Sequence, residues 1–266
     1  MKHELDLVDI GCNLTHDSFD KDREQVIRHA TEAGVSQMVV TGGTAAGSTA
    51  ALELAKQYPN HLFATAGVHP HHAADYTIET DQLLRQLLLE PEVVAVGEAG
   101  LDYFRDFSPR LAQKKAFEQQ IQIAIDTQLP LFLHQRDAHA DFFAILKSFR
   151  DQLAGVVVHC FTDTREALHD YLDLDCHIGI TGWICDERRG AHLKDLVEDI
   201  PANRLLIETD APYLKPRNLR PKIKSHRNEP RVLPWVLGTV AACRGESPLV
   251  TAANTSRNAR SFFNLP

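Results

Sequence analysis

Nowhere does the 266-residue chain approach the roughly 18–20 consecutive apolar residues of a membrane-spanning helix, so no membrane protein is expected. Its first residues, MKHELDLVDI, hold no long apolar run and no small-residue cleavage site, which argues against a secreted protein. Cysteine is scarce and odd in number: five are present and none form a C-x-x-C pair. Free thiols in a reducing compartment are therefore expected, with Cys12, Cys160 and Cys185 as small core or near-core residues. Positive charge is also in deficit. With 28 Lys and Arg against 36 Asp and Glu the net charge is −8, which excludes a generally basic nucleic-acid coat and confines any polyanion contact to a local patch. No G-x-G-x-x-G or G-x-x-x-x-G-K loop follows the first apolar run, which weakens any nucleotide-binding reading. No low-complexity linker marks a domain boundary, so residues 1–266 are read as one domain.

What the chain does have is a rhythm. Short apolar runs recur every 20 to 35 residues at 5–14, 37–43, 62–70, 93–102, 129–136, 155–161, 177–182 and 204–213. Their apolar residues are continuous rather than alternating, as in strands buried on both faces of a parallel sheet. The stretches between them carry helical spacing. The clearest, 108–128, predicts an N-cap at Ser108, Pro109 at the first helical position and an apolar stripe of Ala116, Phe117, Ile121, Ala124 and Ile125. Eight such units predict an α/β protein of the (β/α)8 TIM-barrel type, with a doubly wound sheet as the alternative.

That fold places chemistry at the C-terminal strand ends. The residues there are Asn13 and Thr15, His69, Glu98 and Asp102, His134 and Arg136, His159, Trp183, and Glu208 and Asp210. Taken singly, a strand-end His is a satisfied polar group and a strand-end carboxylate caps the next helix. Glu98, His134, His159 and Asp210 each directly follow an apolar run, however, and four such groups buried without partners would cost several kcal/mol each, roughly. A shared cation explains them together. Two imidazoles and two carboxylates suit a Lewis acid acting on a phosphate or carbonyl group, with Asp210 placed to serve as general base.

Charge points to the substrate. Residues 213–231 hold Lys215, Arg217, Arg220, Lys222, Lys224, Arg227 and Arg231 against Glu229, a local net of +6 that leaves −14 on the remainder. A cationic segment beside a metal site favours a polyanion, and Arg136, Arg188 and Arg189 extend it. Trp183, Tyr103, Phe104, Phe107 and Phe161 follow strand ends, where one or two of them would stack on unpaired bases.

The motifs GVHP (67–70), GEAGLDY (97–103), HQRDAH (134–139), VHCFTDTRE (158–166), IGITGWICDERRG (178–190), LLIETDAPYL (205–214) and RNEP (227–230) resemble, in order and over nearly the whole chain, the TatD family of metal-dependent deoxyribonucleases. The resemblance implies an amidohydrolase-type barrel, a cytoplasmic monomer and a Mg2+-dependent 3'-to-5' exonuclease of single-stranded DNA and RNA linked to repair of oxidative DNA damage. It also implies that Glu98, His134 and His159 are ligands, with Asp210 a further ligand or the base and His69 near the scissile phosphate. Mn2+ or Zn2+ stand as alternative ions. Substrate contacts are expected from Arg136, Asn13, Lys215, Arg217 and Arg227.

One departure stands out. Most of the wider family opens with Asp-x-His-x-His, where this chain has Asp9, Ile10, Gly11, Cys12 and Asn13. Glycine offers no ligand and Asn13 at most a carbonyl oxygen, tolerable for Mg2+. His16 reads as a loop or capping residue. One firmly held ion is therefore expected, with a second recruited by the substrate phosphate. A hydrolase of small amides, lactones or esters, and a non-catalytic nucleic-acid-binding protein, remain the alternatives at this point.

Overall fold

The computed structural model describes residues 5–220 and 225–266. Its elements run β1 (Leu7–Cys12), α1 (Arg23–Glu32), β2 (Val35–Val40), α2 (Ala45–Gln57), β3 (Leu62–Ala66), α3 (Ile78–Leu87), β4 (Val93–Asp102), α4 (Arg110–Thr127), β5 (Leu131–Arg136), α5 (His139–Phe149), β6 (Val156–Val158), α6 (Arg165–Asp173), β7 (His177–Ile180), α7 (Leu193–Leu196), β8 (Leu205–Ile207), α8 (Leu233–Cys243) and α9 (Pro248–Phe263). The strands form one sheet in chain order, the (β/α)8 TIM-barrel arrangement. Each apolar run holds one strand; β4 and β5 end with their runs, and the other six stop short, as β8 does at Ile207, with Glu208, Thr209 and Asp210 in the loop beyond. Among the described residues no helix is long and apolar enough to cross a membrane. None of the five cysteines is in a disulfide; Cys12 and Cys185 are buried and Cys160 is half-buried.

The chain divides into two compact units, Thr41–His177 and the remainder. In the first, β3 to β6 pair in parallel. The predicted stripe of α4 is buried at Ala116, Phe117, Ile121 and Ala124, with Ile125 at its half-buried margin. Phe117 stacks on Phe142 at 5.1 Å, and Tyr171 meets Phe142 edge-on at 5.6 Å. Burial of each such ring stabilises the fold by about 1.5–3 kcal/mol. The predicted cap moves by one residue. Pro109, with extended backbone, is the N-cap of α4, and the Ser108 hydroxyl instead donates to His71 O at 2.9 Å and accepts from Ala74 N at 3.1 Å.

β4 is ten residues long and buried throughout, with a register shift against β5 between Val96 and Ala99. Gly97 and Gly100 permit this course. Both take positive φ, and a Cβ on Gly100 would fall 2.0 Å from His134 O. β5 therefore lies close against β4 where Glu98 and Asp102 emerge.

In the second unit β1 pairs with β2 and β7 with β8. α9 is capped by Ser247 and fastened by its own polar face, with Asn258 donating to Leu205 O at 3.0 Å and Ser256 to Asp6 O at 2.7 Å. Asp9 points inward from β1, and its carboxylate accepts from Thr209 Oγ1 at 2.5 Å and Thr209 N at 2.9 Å. This ties β1 to the end of β8.

Candidate metal centre

Glu98 leaves β4 at the register shift, and one of its oxygens faces three imidazoles. Oε1 lies 2.8 Å from His159 Nε2, 3.2 Å from His134 Nδ1 and 3.4 Å from His69 Nε2. His69 follows β3, His134 stands within β5 and His159 follows β6, so four consecutive strands each supply one side chain. Glu98 and His159 are buried, with His69 and His134 at the half-buried edge. Donor atoms of His69, Glu98 and His134 lie within 4.8 Å of one another, a grouping able to surround a cation.

Two neighbours fix the tautomers. His134 turns Nε2 to Asp102 Oδ2 at 3.2 Å, and the same oxygen takes His71 Nε2 at 2.8 Å. Asp102 is almost wholly buried and its Oδ1 accepts from the amides of Phe104 and Arg105. Burial pushes its pKa up, yet the bonds from His134, His71 and Arg105 outweigh this and hold it well below the ordinary carboxylate range. A permanently ionised Asp102 keeps one proton of His134 on Nε2, so that Nδ1, on giving up the proton it shares with Glu98, turns its lone pair to the centre, as in carboxylate–histidine–metal triads. His69 is set the other way. Its Nδ1 accepts from His71 N at 3.1 Å, so the neutral ring presents Nε2–H to Glu98. In this tautomer His69 is a hydrogen-bond donor into the centre rather than a ligand, which leaves Glu98 and His134 of that grouping as ligand candidates, with His159 Nε2 2.8 Å from the same Glu98 oxygen.

The electrostatics favour a bound cation. Burial pushes Glu98 up, but the three imidazoles reverse the shift and hold it ionised. Burial pulls His134 down, and its bonds to Asp102 and Glu98 overcome that and raise it. His69 is pushed down to about 3, chiefly by burial, and stays neutral. A site that raises the affinity of His134 for a proton offers the same field to a divalent ion, and two imidazoles plus a carboxylate are a suitable donor set.

The model of the TatD-related DNase family matches residues 8–264. The chain belongs to this family. Among its relatives, the 3'-5' ssDNA/RNA exonuclease TatD of Erwinia tasmaniensis is 51% identical over 97% of this chain and 100% of its own length. That of Erwinia amylovora is 50% identical over 97% and 100%. A TatD homologue from Escherichia coli, YJJV, has a crystal structure matching with a TM-score of 0.89 at 29% identity, covering 98% of both chains.

The remaining predicted residues of this TatD-family chain lie as follows. Asp210, in the unit containing β1 and β8, has φ +51° and accepts from Asn13 Nδ2 at 3.0 Å, while its amide donates to Gly11 O at 2.8 Å. Asn13 therefore orients a carboxylate. Gly11 contributes only its backbone, and His16 caps the short turn after β1, accepting from Ser18 N. Arg136 ends β5 with its guanidinium 4.0 Å from the Phe104 ring centroid. In the basic segment, Arg227 pairs with Asp22 at 2.7 Å and Glu229 at 3.0 Å and covers the Phe19 ring. Arg217 pairs with Glu187 at 2.9 Å, Arg231 with Glu229 at 2.8 Å, and Lys215 donates to Ser225 O. Lys222 and Lys224 lie outside the described residues. Of the aromatic candidates, Phe161 is 3% exposed and serves the core, and Tyr103 spends its hydroxyl on Asp141 at 2.7 Å.

Sequence reasoning passed over Asp102 and His71 as working parts of the centre. An Asp after a strand reads as a helix cap. The available signal was spacing, because Glu98 and Asp102 stand four apart across Gly100 on one strand.

Proposed function

We propose that this chain is a metal-dependent 3'-to-5' exonuclease hydrolysing phosphodiester bonds of single-stranded DNA and RNA. It acts as a monomer, with residues 1–266 as one nuclease domain, and its proposed setting is trimming of damaged strand ends in the cytoplasm during DNA repair. The observation that carries the reading is the convergence of His69, His134 and His159 on Glu98 Oε1, in a chain half identical to relatives named for this activity.

Glu98, His134 and His159 hold one divalent cation firmly, and a second is recruited only with the substrate phosphate. Mg2+ is the proposed ion, with Mn2+ or Zn2+ able to substitute. When bound, the ion supplies Lewis-acid polarisation of the scissile phosphodiester. His69 donates its Nε2–H to a non-bridging phosphate oxygen, a contact that strengthens as charge develops there. Asp210, oriented by Asn13, takes a proton from the attacking water. Arg136, Lys215 and Arg217 neutralise the backbone charge of the strand. Arg227 holds its loop to Asp22, so its share in substrate binding is indirect.

The test is incubation of 5'- and 3'-labelled single strands of DNA and RNA with Mg2+, Mn2+ or EDTA. The reading expects a ladder from the 5' label with metal, none with EDTA, and none from the His159→Ala variant. Metal-independent cleavage, or full activity in that variant, rejects it.

A further inference from the structure

The loop after β4, residues 103–108 (YFRDFS), is tightly fastened. Asp102 Oδ1 accepts from Phe104 N at 3.0 Å and Arg105 N at 2.8 Å, and Tyr103 N donates to Arg136 O at 2.9 Å. From the first turn of α4, the buried Gln113 donates to Asp102 O at 3.2 Å and Ser108 O at 2.8 Å. Ser108 closes the loop onto His71 O and Ala74 N. A loop stitched at both ends has little freedom to fold its side chains away.

It nevertheless holds two phenylalanines in water. Phe104 is 53% and Phe107 67% exposed. Their position is specific. The Phe107 ring lies 4.8 Å from His71, which lies 4.1 Å from His69, whose Nε2 faces Glu98. Arg136 and Arg105 stand 4.0 and 5.8 Å from the Phe104 ring. Rigid apolar surface beside cations, one imidazole away from the centre, is the composition of a single-strand binding groove, where bases stack on rings and cations follow the phosphates.

We propose that Phe104 and Phe107 are a nucleobase-stacking platform that grips the single strand next to the bond being cut, with Arg136 and Arg105 on its phosphates. This rests on the nuclease reading and adds its substrate subsite. Stacking uses the π-face that every base has, so the platform accepts DNA and RNA of any sequence. It selects against duplex, whose bases are already stacked on one another.

Phe104→Ala, Phe107→Ala and the double variant test the platform, with Phe104→Trp and Phe107→Trp as conservative partners. Binding of a fluorescent single-stranded oligonucleotide is read by anisotropy in EDTA, so it does not depend on cleavage. Hydrolysis of bis(p-nitrophenyl) phosphate with Mn2+ is read separately, because that small diester has no neighbouring base. Each alanine should weaken strand binding by about 5- to 150-fold, the range for loss of one stacked base. Tryptophan should restore binding, and hydrolysis of the small diester should change less than about twofold. Unchanged strand affinity in the double variant overturns the proposal, as does equal loss of small-diester hydrolysis, which would make the loop a prop for the centre. Wild-type protein that binds and hydrolyses normally in metal-free buffer would reject the metal-dependent nuclease reading without touching the platform.

Discussion

Asp102 decides which nitrogen of His134 is available to a cation. Asp102→Asn keeps an oxygen for the amides of Phe104 and Arg105 but puts an NH2 group against His134 Nε2. The ring must then accept at Nε2 and carry its proton on Nδ1, turned to the centre. Nitrogen-15 NMR should show His134 switching tautomer, and calorimetry should show Mn2+ affinity falling by about 10- to 100-fold, as for lost outer-shell partners. An unchanged tautomer would leave Asp102 a loop anchor only. At this scale the sequence singled out Glu98, His134 and His159 because each follows apolar residues directly, and the structure brings both imidazoles against Glu98 Oε1. It was illegible where one residue's role depends on another's backbone. Nothing in GVHP states that the amide of His71 will occupy His69 Nδ1 and make that ring a donor.

Among the elements, strand positions followed from the apolar runs, and the C-terminal ends followed only for β4 and β5. A strand stops where the pairing pattern stops, while apolar side chains continue into the loops; β6 keeps only Val156–Val158 of the run 155–161. Ion pairing was equally hidden. The basic segment reads as one cationic patch because Asp22 and Glu187, which engage Arg227 and Arg217, are remote in sequence. Arg227→Ala should therefore lower stability by about 2 kcal/mol through lost charge-assisted hydrogen bonds, measured by urea denaturation. A change within about 0.5 kcal/mol would mean the pair is only a surface contact.

The tie between β1 and β8 makes a pH prediction. Burial, the largest influence, pushes Asp9 up to about 8. The native chain then keeps a proton on Asp9 that the unfolded chain releases near pH 4. Stability is thus lost progressively as pH rises from about 4 towards 8, and the loss levels off above that. Asp9→Asn cannot ionise, so the melting temperature of the variant relative to wild type should climb between pH 5 and 8. Parallel profiles would contradict a proton on Asp9.

Across the whole molecule, the sequence sets a net charge of −8 against the +6 of segment 213–231, and in the described part of that segment Arg217, Arg227 and Arg231 are paired with Glu187, Asp22 and Glu229. Fold and family were legible because eight strand–helix units and a chain-long series of motifs leave few alternatives. The absent histidine pair at Gly11 and Asn13 remains the informative departure, since Asn13 is spent on Asp210. The most direct test is a Mn2+ titration of the protein without nucleic acid, followed by electron paramagnetic resonance. One tightly bound ion per chain is predicted, with binding strongly weakened in Glu98→Gln and in His134→Ala. Two tight ions in the wild type, or undiminished binding in both variants, would contradict a centre built on Glu98, His134 and His159.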